Sequence, residues 1–96
     1  MDLKLIVRHA NQAPSQVLQE LVVGASGCSI GRANTNQCQL SNLSISGVHA
    51  NITVENGSFF VIDLSSNGTY LNYSKQRLPK SQPTPIKPGD VISMFD

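Results

Sequence analysis

The sequence predicts an all-β domain, a sandwich or barrel built from many short strands. Three observations carry this. Gly, Pro, Asn and Ser interrupt the chain every few residues. The runs between them are short and rich in Val, Ile, Leu and Phe. No run shows an apolar helical face long enough to stand alone. The chain has 96 residues, which bounds it to one domain burying roughly two-thirds of its unfolded surface.

The elements follow in order. LKLIVRH (Leu3 to His9) alternates loosely and is β-rich, so it predicts a strand, and NQAPSQ after it predicts a turn. VLQELVVG (Val17 to Gly24) is ambiguous, because Val17, Leu18, Leu21 and Val22 also fit one helical face. The run is short for an independent helix, Gly24 closes it and strands flank it, so it is read as a strand. CSIG and CQL are short strands, each followed by a polar loop, RANTNQ and SNLSIS. VHANITVE alternates, with Val48, Ala50, Ile52 and Val54 on one face. Asn56-Gly57 then separates it from SFFVIDL. Two β-runs around Asn-Gly predict a hairpin, because both residues accept the positive φ of a type I′ turn. LSSNGTYLN is a tight polar turn running into a short strand. SKQRLPKSQPTPIKPGD holds Pro79, Pro83, Pro85 and Pro88, which allows edge-strand fragments at most. DVISMFD is a final strand.

Composition narrows the function. Charged residues make up 14% of the chain, about half the usual globular share, and 12 Ser, 8 Asn and 7 Gln take their place. The surface is therefore one of turns and hydrogen-bonding groups. A net charge of +1 with scattered basic residues supplies no field suited to duplex nucleic acid or anionic lipid. No apolar run approaches the roughly 20 residues of a membrane helix, and the start has too short an apolar part for a secretory signal. Cys28 and Cys38 read as two reduced, partly buried thiols; a disulfide requires them to lie on facing segments. Together with His9 or His49 they make no metal site at these spacings. The N-x-S/T sequons at Asn42, Asn51, Asn56, Asn67 and Asn72 follow from an Asn- and Ser-rich composition and carry no weight without a secretory route.

Two kinds of chemistry compete. A Ser46, His49 and Asp63 set could suggest a hydrolase, but Ser46 lies in no G-x-S-x-G elbow, and a Ser and a His three apart at a strand entry do not easily align for proton transfer. The acidic residues are isolated, so no carboxylate pair is available, and the chain reads as a binding module and not an enzyme, with no cofactor. The second reading is anion binding. Arg32 follows Gly31 at a strand end, and two polar loops lie downstream. If these strand ends meet, a guanidinium fork, hydroxyls and turn amides would suit a phosphate dianion.

The order Gly31-Arg32, Ser46-x-x-His49, Asn67-Gly68-Thr69-x-x-Asn72 and the later KPGDVI (Lys87 to Ile92) resembles the forkhead-associated (FHA) domain over nearly the whole chain, about Leu3 to Phe95. The resemblance implies an antiparallel β-sandwich whose loop-bearing end binds phosphothreonine peptides, as in proteins read after Ser/Thr kinases have acted. It implies that Arg32, Ser46 and Ser66 contact the phosphate and that Asn67 pins the peptide main chain. It implies that Gly31, His49, Gly68, Thr69 and Asn72 shape and brace the loops. Asn34 and Asn36 line the loop after Arg32 and are given no role. A methyl slot between the loops would favour phosphothreonine over phosphoserine by about 0.8 kcal/mol.

Two features depart from the pattern. Gly47 stands where many members place Arg, Lys or Asn against the phosphate or the peptide, so this peptide-facing position has no side chain. This leaves open a phospho-independent interaction or oligomerisation module. The family also continues into one more strand near the first, so the sequence is expected to be a fragment of a longer protein. Absence of that strand would leave an edge beside strand 1 open to a second chain. The N-terminal placement and the LVVGASGCSIGRA run look like the cytoplasmic regulatory scaffolds of bacterial type VI secretion.

Overall fold

The computed structural model describes residues 3–9, 19–40, 45–66 and 68–94. The expected turn at NQAPSQ, Asn67, Phe95 and part of the SNLSIS loop lie outside the described residues. Among the described residues there are nine strands and no helix. They are β1 (Leu3–His9), β2 (Gln19–Val23), β3 (Cys28–Gly31), β4 (Cys38–Gln39), β5 (Ala50–Glu55), β6 (Ser58–Asp63), β7 (Thr69–Leu71), β8 (Pro83–Ile86) and β9 (Val91–Met94). Of the ambiguous segment before Gly24, Gln19–Val23 is a strand, and Val17 and Leu18 lie outside the described residues.

The strands form two sheets, ordered β2-β1-β9-β7 and β4-β3-β5-β6-β8. Most neighbours are antiparallel, but β1 runs parallel to β9 and β3 parallel to β4. The expected all-β, mainly antiparallel sandwich is present, and each sheet is mixed through one parallel pair. The edge expected to lie open beside the first strand is occupied. β1 pairs with β2 on one side, from Leu3↔Val23 to Val7↔Gln19. On the other side it pairs with β9, from Ile6↔Val91 to His9↔Met94.

The core lies between the sheets. Period-2 alternation sends Leu3, Leu5 and Val7 inward from β1, and Phe59 and Val61 inward from β6. Ile30, Ala50, Ile52, Ile92 and Met94 meet them, with Leu40, Ile45 and Leu78 closing the ends. Val48 was expected to continue the apolar face of β5. It precedes the strand and is 42% exposed, because the chain there is still a loop whose Gly47 carbonyl bonds to Ala33.

The β5–β6 hairpin turns at Asn56 and Gly57, with φ of 53° and 78°, and Glu55 faces Ser58. This is the type I′ geometry that Asn-Gly favours. β8 closes its sheet with Pro83 opposite Ile62 and Pro85 opposite Phe60. Proline donates no backbone hydrogen bond, so such residues belong on an edge strand, and this edge is a poor template for another chain.

Gly57 has open space around a built Cβ, so Gly57→Ala isolates the cost of the positive φ. It is expected to destabilise by about 1 kcal/mol and to lower the melting temperature by roughly 4–8 °C for a domain of this size. A thermal melt followed by circular dichroism checks this; an unchanged midpoint would refute the turn assignment.

Candidate functional site

Three chain segments meet where β3 and β6 end and β5 begins: the loop after Arg32, the loop through Ser46 and Gly47, and the turn through Ser65 and Ser66. The first two are joined by backbone bonds, from Arg32 N–H to the Ser46 carbonyl (2.9 Å) and from Ala33 N–H to the Gly47 carbonyl (3.1 Å). Gly31 makes this approach possible. A Cβ there would lie 2.3 Å from the Gly47 carbonyl oxygen and 2.9 Å from Asn36 Nδ2. The Arg32 side chain is exposed, and its Nε donates to the Ile45 carbonyl at 3.1 Å. That bond holds the guanidinium beside Ser46, and its two Nη atoms have no partner among the described residues.

His49 ties the second segment to the third. It is fully buried. Ser46 N–H donates to its Nδ1 at 3.2 Å, so Nδ1 is the acceptor and the proton sits on Nε2. Nε2–H in turn donates to the Gly68 carbonyl at 2.9 Å. The main chain of His49 adds two ties, its N–H to Ile30 and its carbonyl from Leu64 N–H. Directly between the loops, Ser66 N–H donates to Ser46 Oγ at 3.0 Å. The Ser46 oxygen thus accepts, and its own proton has no acceptor among the described residues. The Ser46, His49 and Asp63 set forms no proton relay. Both imidazole nitrogens are committed elsewhere than Ser46 Oγ, and Asp63 bonds to other groups.

Asp63 continues the inward row of β6 after Phe59 and Val61 and is fully buried. Its Oδ1 accepts from Ser65 Oγ (2.6 Å), Ser65 N–H (3.0 Å) and Thr69 Oγ1 (2.8 Å). Its Oδ2 meets Arg77 Nε and Nη2, both at 3.1 Å. Burial by itself would raise this carboxyl's pKa. The donors from Ser65, Thr69 and Arg77 outweigh it and hold the group below the ordinary carboxylate value. Ser65 Oγ also accepts from Gly68 N–H at 2.8 Å, which anchors the turn to the carboxylate.

The residues singled out in the sequence divide into those at this rim and those away from it. Arg32, Ser46 and Ser66 come together, with Gly47 exposed beside them and open space where a side chain would stand. Gly31, His49, Gly68 and Thr69 lie behind the rim. Asn72 lies at the other end of β7, where its Nδ2 donates to Asp90 (3.1 Å) and its Oδ1 accepts from Val91 N–H (2.9 Å). It braces the turn before β9. Asn36 is buried, and its Nδ2 donates to the Gly47 carbonyl at 2.6 Å and the Ala33 carbonyl at 2.8 Å. Asn36 is therefore part of the scaffold and does not line the surface. Sequence reasoning missed the roles of Asp63, Ser65 and Arg77. One signal was present: a carboxylate in the inward row of a strand must find donors.

Other chemistry is limited. Cys28 and Cys38 form no disulfide. Burial, and then the neighbouring Cys28, push the Cys38 thiol up to about 11, and burial raises Cys28. Both are protonated and weakly nucleophilic near neutrality. No cluster of His, Cys, Asp and Glu suited to a metal occurs among the described residues. Nor does any helix long and apolar enough to cross a membrane.

Comparison with known proteins agrees with this architecture. The family model described as FHA domain matches residues 28–94, and the chain belongs to that family. Over 85 residues it is 40% identical to the E3 ubiquitin-protein ligase CHFR of Xenopus tropicalis, an alignment covering 83% of this chain and 13% of the ligase. Over 57 residues it is 46% identical to the chloroplastic zeaxanthin epoxidase of Spinacia oleracea, covering 55% of this chain and 8% of the epoxidase. Among solved structures, the MEK1 FHA domain in complex with a phosphothreonine peptide of HOP1 superposes with a TM-score of 0.67 at 32% identity. That match covers 79% of this chain and 80% of the other. The N-terminal FHA domain of Rad53p from S. cerevisiae, in complex with a phosphothreonine peptide, superposes with a TM-score of 0.64 at 29% identity. It covers 70% of this chain and 54% of that one.

Two outcomes are expected from this geometry. Gly31→Ala forces the Gly47 carbonyl away and should destabilise the domain by about 1–3 kcal/mol, as overpacking does; denaturant unfolding measures it, and a change below about 0.5 kcal/mol would contradict the close approach. Asp63 has a folded pKa depressed below its unfolded one, so its stabilising contribution is present above the unfolded value of about 4 and is lost as pH falls through the folded pKa. In unfolding titrations Asp63→Asn should flatten the loss of stability seen in the wild type below about pH 4.

Proposed function

We propose that this domain binds phosphothreonine-containing segments of partner proteins at the rim formed by Arg32, Ser46 and Ser66. One observation carries the reading. An exposed guanidinium is fixed by its Nε beside a serine whose oxygen accepts from Ser66 N–H, and among the described residues the Nη donors and the serine proton have no partner, which suits them to a ligand. A phosphate monoester brings a charge between about −1.5 and −2 at pH 7 and three strong acceptor oxygens. The Arg fork and the serine hydroxyl suit it as charge-assisted donors, with the Ser66 hydroxyl on the neighbouring turn. Asn67 would pin the peptide main chain beside the phosphothreonine, and Gly47 would face the peptide through its backbone. The solved relatives that hold phosphothreonine peptides support the same ligand class.

In this reading the domain is a non-enzymatic, cytoplasmic module that recognises proteins phosphorylated by a Ser/Thr kinase, and it has no nucleic-acid or membrane ligand. The chain spans 13% of the ubiquitin ligase and 8% of the epoxidase it matches, which supports reading it as one part of a longer protein. Those relatives lend no support to the narrower bacterial-secretion reading. A second reading, phospho-independent binding on the same fold, is favoured by Gly47, which offers no side chain to a phosphate and has nothing within 4 Å of a built Cβ.

Isothermal titration with one peptide in phosphothreonine, phosphoserine and unmodified forms separates the two. Phosphothreonine is expected to bind best and the unmodified peptide not at all, and Arg32→Ala should weaken binding roughly tenfold to a hundredfold through the loss of about 1.5–3 kcal/mol of charged hydrogen bonding. Equal binding of all three forms, insensitive to Arg32→Ala, establishes the phospho-independent reading.

A further inference from the structure

Arg77 lies in the proline-rich segment between β7 and β8, well downstream of the rim in sequence. Its side chain nevertheless reaches back and makes four contacts. Nε and Nη2 meet Asp63 Oδ2 at 3.1 Å, Nη2 donates to the Ser65 carbonyl at 2.8 Å, and Nη1 donates to the Ser66 carbonyl at 3.4 Å. The contact to Ser65 has a geometric consequence. A peptide unit is planar and trans, so the carbonyl of one residue and the N–H of the next point in opposite directions. Fixing the Ser65 carbonyl toward Arg77 therefore aims Ser66 N–H the other way. That N–H is the one that donates to Ser46 Oγ at 3.0 Å.

From this we infer that Arg77 is a positioning residue for phosphate recognition, acting through the Ser65–Ser66 peptide on the Ser46 hydroxyl; the inference rests on the binding function proposed above. The relay has four links. Asp63 is the buried anchor, held also by Ser65 and Thr69. The Arg77 guanidinium spans from that carboxylate to the Ser65 carbonyl. The peptide plane turns Ser66 N–H onto Ser46 Oγ. The serine oxygen, used as an acceptor, then presents its proton to the ligand, and donation into a hydroxyl strengthens the bond that hydroxyl gives. Arg77 need not touch phosphate for this. Its planar fork is what allows one side chain to hold a carboxylate and a carbonyl together, and a lysine ammonium carries the charge without that geometry.

The test compares Arg77→Lys, Ser46→Ala and the double variant, with two readouts. The first uses the free protein: hydrogen exchange and chemical shift of the Ser66 amide in ¹H–¹⁵N spectra. Arg77→Lys and Ser46→Ala should each deprotect this amide by tenfold or more while amides of β5 and β6 keep their protection. An unmoved Ser66 amide in a folded Arg77→Lys protein overturns the inference whether or not any peptide binds. The second readout titrates a phosphothreonine peptide of randomised flanks. Arg77→Lys should weaken binding about tenfold in the wild-type background and less than twofold in the Ser46→Ala background. Equal losses in both backgrounds would mean that Arg77 acts by general stability or charge, and would overturn it. Failure of the wild type to bind the peptide would refute the proposed function and leave the amide readout to decide the role of Arg77. If Arg77→Lys does not fold, Arg77→Gln, which keeps planar donors, is read by the same two measurements.

Discussion

A buried imidazole holds the rim of this domain together. His49 reaches Ser46 N–H with one ring nitrogen and the Gly68 carbonyl with the other, while its main chain bridges β3 and the chain beyond β6. The two serine-bearing loops are far apart in sequence, and neither is a regular element. Without a shared partner between them they would have to be ordered separately, at the entropic cost that every loop residue carries. One fully buried group with both nitrogens satisfied makes them a single unit. Removing it would leave a half-buried amide and a buried carbonyl unpaired, and the buried carbonyl alone typically costs about 1–3 kcal/mol.

Small residues and a carboxylate complete the frame. Gly31 lets the Gly47 carbonyl come within a distance that any side chain would forbid. Gly68, at a φ of 112°, turns the chain under Tyr70 and Arg77, where a Cβ would meet both at 3.2–3.3 Å. Asp63 is polar in an apolar row, and it is tolerated because Ser65, Thr69 and Arg77 satisfy both oxygens. The core ends and the site begins at this residue. The strand that packs the interior through Phe59 and Val61 delivers, two residues on, the anchor of the Ser65–Ser66 turn.

Much of the fold was legible in the sequence because its signals are local. Asn56-Gly57 fixes a hairpin through the backbone angles of two residues. Leu3 to His9 coincides with β1, and the proline pairs correctly mark β8 as an edge. The rest depends on distant neighbours. Parallel pairing of β1 with β9 and of β3 with β4 leaves no trace in alternation, since a strand alternates in the same way beside either kind of partner. Val48 continued an alternating pattern into a segment where loop-to-loop hydrogen bonds decide the conformation. In the site, Arg32, Ser46 and Ser66 were legible only as a resemblance, because nothing in their spacing brings them together. Arg77 was invisible: it sits in a proline-rich stretch that reads as surface loop, and its partners lie on the other side of β7.

The account comes down to whether the exposed guanidinium and the Ser46 hydroxyl close on one phosphate. A co-crystal structure with a phosphothreonine peptide tests this most directly. The phosphate is expected within about 3 Å of both an Arg32 Nη atom and Ser46 Oγ, at charge-assisted hydrogen-bond distance, with Ser66 N–H still on the serine oxygen. A peptide bound elsewhere on the domain, or a phosphate held away from both groups, would contradict it.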